Sequence, residues 1–148
     1  MNLTERNQIE YIRPQFQADM NEWIRLCSNN LRRRYSRTRV GTVKHTRSDA
    51  RPVKPEVDYC EYTGIRFIDA EQEFVNPNDP RKRSLDHIKP LALCFIDGMT
   101  MDEANHPDNI MWCLKVINNV RGTSSLESFE PIAQYYREQF IAAGVAHL

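Results

Sequence analysis

Between Arg83 and Gly122 the sequence leaves few folds open. Arg83-Ser84-Leu85-Asp86-His87-Ile88 is a short run with Leu85 and Ile88 apolar, closed by Lys89-Pro90. Residues 89–108 separate it from a second short run, Asn109-Ile110-Met111-Trp112, which leads into Cys113–Arg121 and then Gly122. The two runs have strand length and the third has helical length. The segment therefore predicts a strand at 84–88, a loop with at most one helical turn around Asp102–Asn105, a strand at 109–112 and a helix at 113–121.

The flanking regions are helical in pattern. Ile9, Ile12, Phe16, Met20, Trp23, Cys27 and Leu31 recur every three or four residues, which is one apolar stripe on an α-helix. Pro14 interrupts it, so either the helix kinks there or the main helix starts with Pro14 in its first turn. Packing on the protein's own core is the favoured use of the stripe, and a homodimer seam through this N-terminal helix is the other. Past Gly41, residues 41–58 read as extended. Cys60–Ile68 reads as a tight turn leading to a short strand, and Asn76-Pro77-Asn78-Asp79-Pro80 as a loop. Ser124-Ser125-Leu126-Glu127 fits a capping box for a short helix, and Pro131 can begin a last one ahead of Gly144.

The chain is neutral overall, with 20 basic and 20 acidic residues, but the average hides a split. Residues 25–54 hold ten basic residues against one acidic, while 55–148 hold eight against fifteen. A neutral protein with one strongly basic segment reads as an ordinary domain carrying an arm that contacts a polyanion. The arginine fork matches phosphate oxygens with two parallel hydrogen bonds. Arg32, Arg33, Arg34, Arg37, Arg39, Lys44, Arg47 and Arg51 are the expected backbone contacts to DNA, with Lys89 near the chemistry. A merely solvated charged face is the competing use of such a run. The expected division is a helical, basic arm at 1–58 and a globular domain at 59–148.

No apolar run approaches the roughly 18 residues that a membrane span requires, and the N-terminal residues have no apolar signal core. The chain reads as soluble and cytoplasmic, with no membrane partner. Its four cysteines form no Cys-x-x-Cys pair, so free buried thiols are expected rather than disulfides.

Hydrolysis of a phosphodiester needs a base to deprotonate water and a hard cation to offset charge building on the phosphate. Asp86 can supply an anionic oxygen and Asn118 a neutral amide oxygen, a set that suits Mg²⁺ or Mn²⁺. His87 titrates near neutrality and can take up a proton. Alternation along a strand sends Asp86 and His87 to opposite faces, so an irregularity or the strand end has to reconcile them.

The ordered set Ser-Leu-Asp-His-Ile at 84–88, Asn109-Ile110, Asn118 nine residues later, and Arg121-Gly122 resembles the HNH, or His-Me finger, nucleases. The resemblance covers residues 60–130 and none of the N-terminal arm. It implies an α+β protein with a ββα-metal core, a helical, arginine-rich N-terminal region and C-terminal helices. It implies a Mg²⁺-dependent DNA endonuclease leaving 5′-phosphate and 3′-hydroxyl ends. His87 would be the general base, Asp86 and Asn118 the metal ligands, and Asn109 the residue that pins the long loop. Asn119 is the off-by-one alternative to Asn118. Arg121 shares a face with Asn118 and either holds a phosphate or complements the helix C-terminus. A phage or mobile-element setting, homing-type included, fits by analogy. The runner-up is a catalytically inactive DNA-binding protein of the same fold.

The chain departs from the family at a structural zinc that many members carry on two cysteine pairs. The matching positions are Cys60, Thr63, Leu114 and Ile117, so three of the four ligands are gone. Leu114 and Ile117 are expected to fill that space, and no structural zinc is expected.

Overall fold

The computed structural model describes residues 3–35, 51–122 and 124–148, with side chains from Arg13 onward in the first of these stretches. The N-terminal stripe forms one helix, α1 (Leu3–Arg34), which runs through Pro14 without a break. A proline removes a single backbone hydrogen bond, and the turns on either side carry the helix past it. The stripe sinks along its length: Phe16 is exposed, Met20 and Trp23 are half-buried, and Cys27 and Leu31 are buried. Arg32, Arg33 and Arg34 occupy the last turn, where positive charge complements the helix dipole.

Two strands, β1 (Arg83–His87) and β2 (Ile110–Leu114), form an antiparallel pair in which Arg83 faces Leu114, Leu85 faces Trp112 and His87 faces Ile110. The helix α5 (Lys115–Arg121) follows β2 directly and folds back against both strands. It ends at Gly122, whose φ of 54° suits a residue without a Cβ.

The connection between the strands is more structured than its sequence suggests. It holds α3 (Leu91–Ile96), α4 (Met101–Ala104) and a 3₁₀ turn at Pro107–Asn109. The Thr100/Glu103 capping box starts α4, the one helical turn expected there. Residues 91–96 carry no polar–apolar period, and tertiary contact makes them helical. Cys94 is fully buried, and Phe95 meets Phe16 edge-on and Trp23 at a tilt, both on α1, with ring centroids 5.5 and 5.7 Å away. A short α2 (Ala70–Val75), capped by Asp69 and Gln72, was also not expected.

Two further expectations change. Tyr59–Ile68 makes the tight turn but no strand, only isolated bridges from Tyr59 to Arg66 and from Ile65 to His147. The two expected C-terminal helices are one, α6 (Leu126–Ala142), with Ser125 accepting from the Ser128 amide as its N-cap. Pro131 lies early in that helix on an exposed position, where it removes one backbone bond and nothing more.

A single hydrophobic core joins these pieces. Leu31 and Tyr35, from the segment expected to be an arm, pack in the same cluster as Trp112, Ile117 and Phe129. Tyr35 meets Trp112 edge-on at 5.5 Å and accepts a hydrogen bond from the Lys54 amide. The boundary at 58/59 therefore does not separate two cores. Cys60, Leu114 and Ile117 are buried together, and Thr63 is 3% exposed. All four cysteines are free and buried. The architecture is α+β, and among the described residues no helix is long and apolar enough to cross a membrane.

Candidate active site

Strand alternation is obeyed at the Asp86-His87 step, and it sends the two side chains to different partners. Asp86 is 7% exposed. Its Oδ2 accepts from the Tyr62 hydroxyl at 2.7 Å and pairs with Nη1 of Arg121. Arg121 is 1% exposed, and Nη1 also donates to the Tyr62 hydroxyl at 2.8 Å and to the His87 carbonyl at 2.9 Å, while Nη2 donates to the Ile88 carbonyl. In this position the Arg121 guanidinium is turned to the end of β1 and not into the cleft. The last turn of α5 lies under the end of β1, where the guanidinium fork meets the Asp86 carboxylate and the carbonyls of His87 and Ile88 together. Burial and the neighbouring Asp86 push the Tyr62 hydroxyl well above the ordinary phenol range, so it stays a donor. Burial likewise raises the Cys113 thiol, with Cys60 adding to the effect.

His87 is half-buried, and its Nε2 lies 2.7 Å from Oδ1 of Asn105, the residue that ends α4. Burial lowers its pKa below the ordinary imidazole value; the contact with Asn105 and the charge of Asp86 oppose that shift. Asn105 is fully buried, and its Nδ2 donates to the Cys27 carbonyl at 3.0 Å and to Oδ1 of Asn30 at 3.2 Å, both on α1.

Asn118, in α5, donates through Nδ2 to the Ser84 hydroxyl at 2.7 Å and to the Leu85 carbonyl at 3.1 Å. A carbonyl only accepts, so the amide orientation is fixed and its oxygen points away from β1. Asn119 is exposed on the next position. Asn109 closes the long connection on itself: Oδ1 accepts from the Lys89 amide at 2.8 Å, Nδ2 donates to the Ala104 carbonyl at 2.8 Å, and its own carbonyl accepts from the Ile88 amide at 2.7 Å.

His87, Asn118 and Ser84 line an open cleft of about 780 Å³ between α1, α2 and the β1/α5 face. Arg32, Lys82, Arg83 and Lys115 also line it, and Glu73 is its acidic member. Asp86 is not part of the lining.

The other expected phosphate contacts divide. Arg33 is exposed on α1. Arg34 is turned inward: its side chain is 3% exposed and Nη2 pairs with Asp102 at 2.9 Å, which ties α1 to α4. Arg51 meets the same carboxylate at 3.1 Å, and Lys89 pairs with Asp97, away from the cleft. Arg37, Arg39, Lys44 and Arg47 lie outside the described residues.

Among the described residues no three His, Cys, Asp or Glu side chains converge as a metal site. Mg²⁺ asks for less, one or two hard oxygens with water completing the shell. The amide oxygen of Asn118 is of that kind, as is Oδ1 of Asp86, since Tyr62 and Arg121 both take Oδ2. Of the two, Asn118 lies in the cleft lining, whereas Asp86 lies outside it and is paired with Arg121, so the described side chains match a hard divalent cation in the cleft at Asn118 and not at Asp86. Asn105, Tyr62 and Ser84 were not expected at the site; the Thr100/Glu103 box marks where α4 begins, but nothing local in the sequence pairs Asn105 with Cys27. Comparison of the chain with protein-family models, with curated proteins and with solved structures gives no match.

Proposed function

We propose that this chain is a metal-dependent endonuclease of the HNH, or His-Me finger, class that hydrolyses DNA, with β1, β2 and α5 as its ββα-metal core. The observation that carries this reading is that His87 and Asn118, distant in sequence, line one open cleft whose rim is mainly cationic. In the proposed reaction His87 takes a proton from water through Nδ1 as the water attacks phosphorus in line with the leaving 3′ oxygen. Its other ring nitrogen stays on Asn105. Arg32, Lys82 and Lys115 hold the phosphate backbone along the cleft, contacts that position DNA without reading its sequence. Asn109 keeps the connection folded so that His87 faces the cleft. A divalent cation held by Asn118, with Asp86 released from Arg121 as its second ligand, would supply the positive charge that offsets the charge building on the phosphate and leaving oxygen.

One observation favours a second reading, a DNA-binding protein of this fold without catalysis: the carboxylate of Asp86 already carries Arg121 as its counter-charge. Supercoiled plasmid incubated with Mg²⁺ or Mn²⁺ separates the two. The nuclease reading expects nicked or linear product that chelator abolishes and that falls on the order of a hundredfold or more in His87→Ala. DNA bound yet left intact by wild type under all these conditions would establish the second reading instead.

A further inference from the structure

The contact between His87 and Asn105 is one end of a longer chain. Asn105 is fully buried, and a buried amide is costly unless its donors and acceptor are used. Its two amide protons go to the Cys27 carbonyl and to Oδ1 of Asn30, both on α1. The Cys27 carbonyl has no proton to give, so a reversed amide would set two oxygens against each other there. Helix α1 therefore fixes Oδ1 toward the imidazole. An acceptor 2.7 Å from Nε2 requires that nitrogen to carry the ring proton.

We propose that Asn105 is a positioning residue through which helix α1 selects one tautomer of His87, with the proton on Nε2 and the lone pair on Nδ1. This rests on the reading of His87 as the general base, because the lone pair on Nδ1 is the one that would receive the proton from water. It adds that the base is not set by the strands and helix around it alone. The backbone of Cys27, 78 positions before Asn105, orients the amide that orients the ring. The Arg34–Asp102 ion pair clamps the same two helices at the other end of α4. Helix α1, whose exposed Arg32 lines the cleft, thus holds the base in register with the surface that would meet DNA.

The test uses the full chain labelled with ¹⁵N-histidine, without added metal, at a pH where imidazole is neutral. His87→Gln identifies its signals among the four histidines. Wild type is expected to show His87 as a single tautomer with a slowly exchanging Nε2 proton. Asn105→Leu, which keeps the volume and removes the acceptor, is expected to give a mixture containing the Nδ1-protonated form and a fast-exchanging proton. Asn30→Ala touches neither ring nor acceptor and removes one of the amide's two anchors. It is expected to speed Nε2 proton exchange about fivefold, the worth of one ordinary hydrogen bond, and it keeps the test alive if the leucine variant does not fold. A wild-type ring protonated on Nδ1 overturns the proposal, as does Nε2 exchange equally fast in wild type and both variants. The expected spectra together with plasmid left uncut would sustain the tautomer proposal while the nuclease reading falls.

Discussion

The Asp86–Arg121 pair is the side-chain contact on which the end of β1 most depends. Both side chains are nearly inaccessible, at 9% and 1% exposure, and a buried charge is tolerated only while its partner and hydrogen bonds are in place. Asp86→Ala leaves Arg121 without its counter-charge and is expected to cost roughly 3–5 kcal/mol of folding stability. Asn118→Ala removes two neutral hydrogen bonds of a half-buried residue and is expected to cost about 1–2 kcal/mol. Urea unfolding of both variants checks the order, and equal midpoints would show that the pair does not hold α5 on β1. Lost cleavage in Asp86→Ala therefore speaks to metal binding only once its folding has been matched. His87 gives a pH signature. Its folded pKa lies below its unfolded value, so between the two the unfolded chain binds more protons and folding weakens as pH falls. Wild type is expected to lose stability from about pH 6.5 downward more than His87→Gln does, read by denaturant midpoints across that window. The pattern of Asp86, His87, Asn109 and Asn118 was legible because each sits at a fixed spacing within a strand, loop or helix. The burial of Arg121 and the place of Asn105 were not, since their partners lie 35 and 78 positions away.

At the level of elements, what could be read from local pattern was read, and what tertiary contact decides was not. The stripe of α1 and both strands announce themselves by apolar spacing. The Thr100/Glu103 box announces α4. By contrast, α3 owes its helix to the seat that α1 offers Phe95, and α6 absorbs Pro131 because the Ser125 cap starts the helix five residues earlier than that proline invites. The cap yields a prediction of its own. Ser125 accepts from the Ser128 amide at 3.2 Å, and Ser125→Ala is expected to lower stability by about 1 kcal/mol. Phe129 and Ala133 bury α6 in the core, so a melting-temperature drop of a few degrees should report the whole domain and not α6 alone. Loss of α6 helicity with an unchanged global transition would show that α6 is an independent unit.

Over the whole molecule, the split of charge separates arginines that hold the fold from arginines free to meet a polyanion. The ten-to-one basic excess over residues 25–54 suggested one uniform arm. The fold spends Arg34 inside, on Asp102, and leaves Arg32 at the cleft and Arg33 exposed. Salt dependence distinguishes these uses. Neutralising phosphates releases counterions, so the logarithm of the DNA-binding constant should fall with the logarithm of salt concentration by about 0.9 per phosphate contacted. With His87→Ala, to keep the DNA intact, Arg32→Ala is expected to weaken binding and flatten that slope by about one contact, leaving folding unchanged. Arg34→Ala is expected to do the reverse, lowering the unfolding midpoint because α1 loses its tie to α4 while the slope of the folded fraction stays as it was. Slopes that changed equally in the two variants would mean that DNA draws Arg34 out of its pair with Asp102, and that α1 moves on α4 when the cleft is filled.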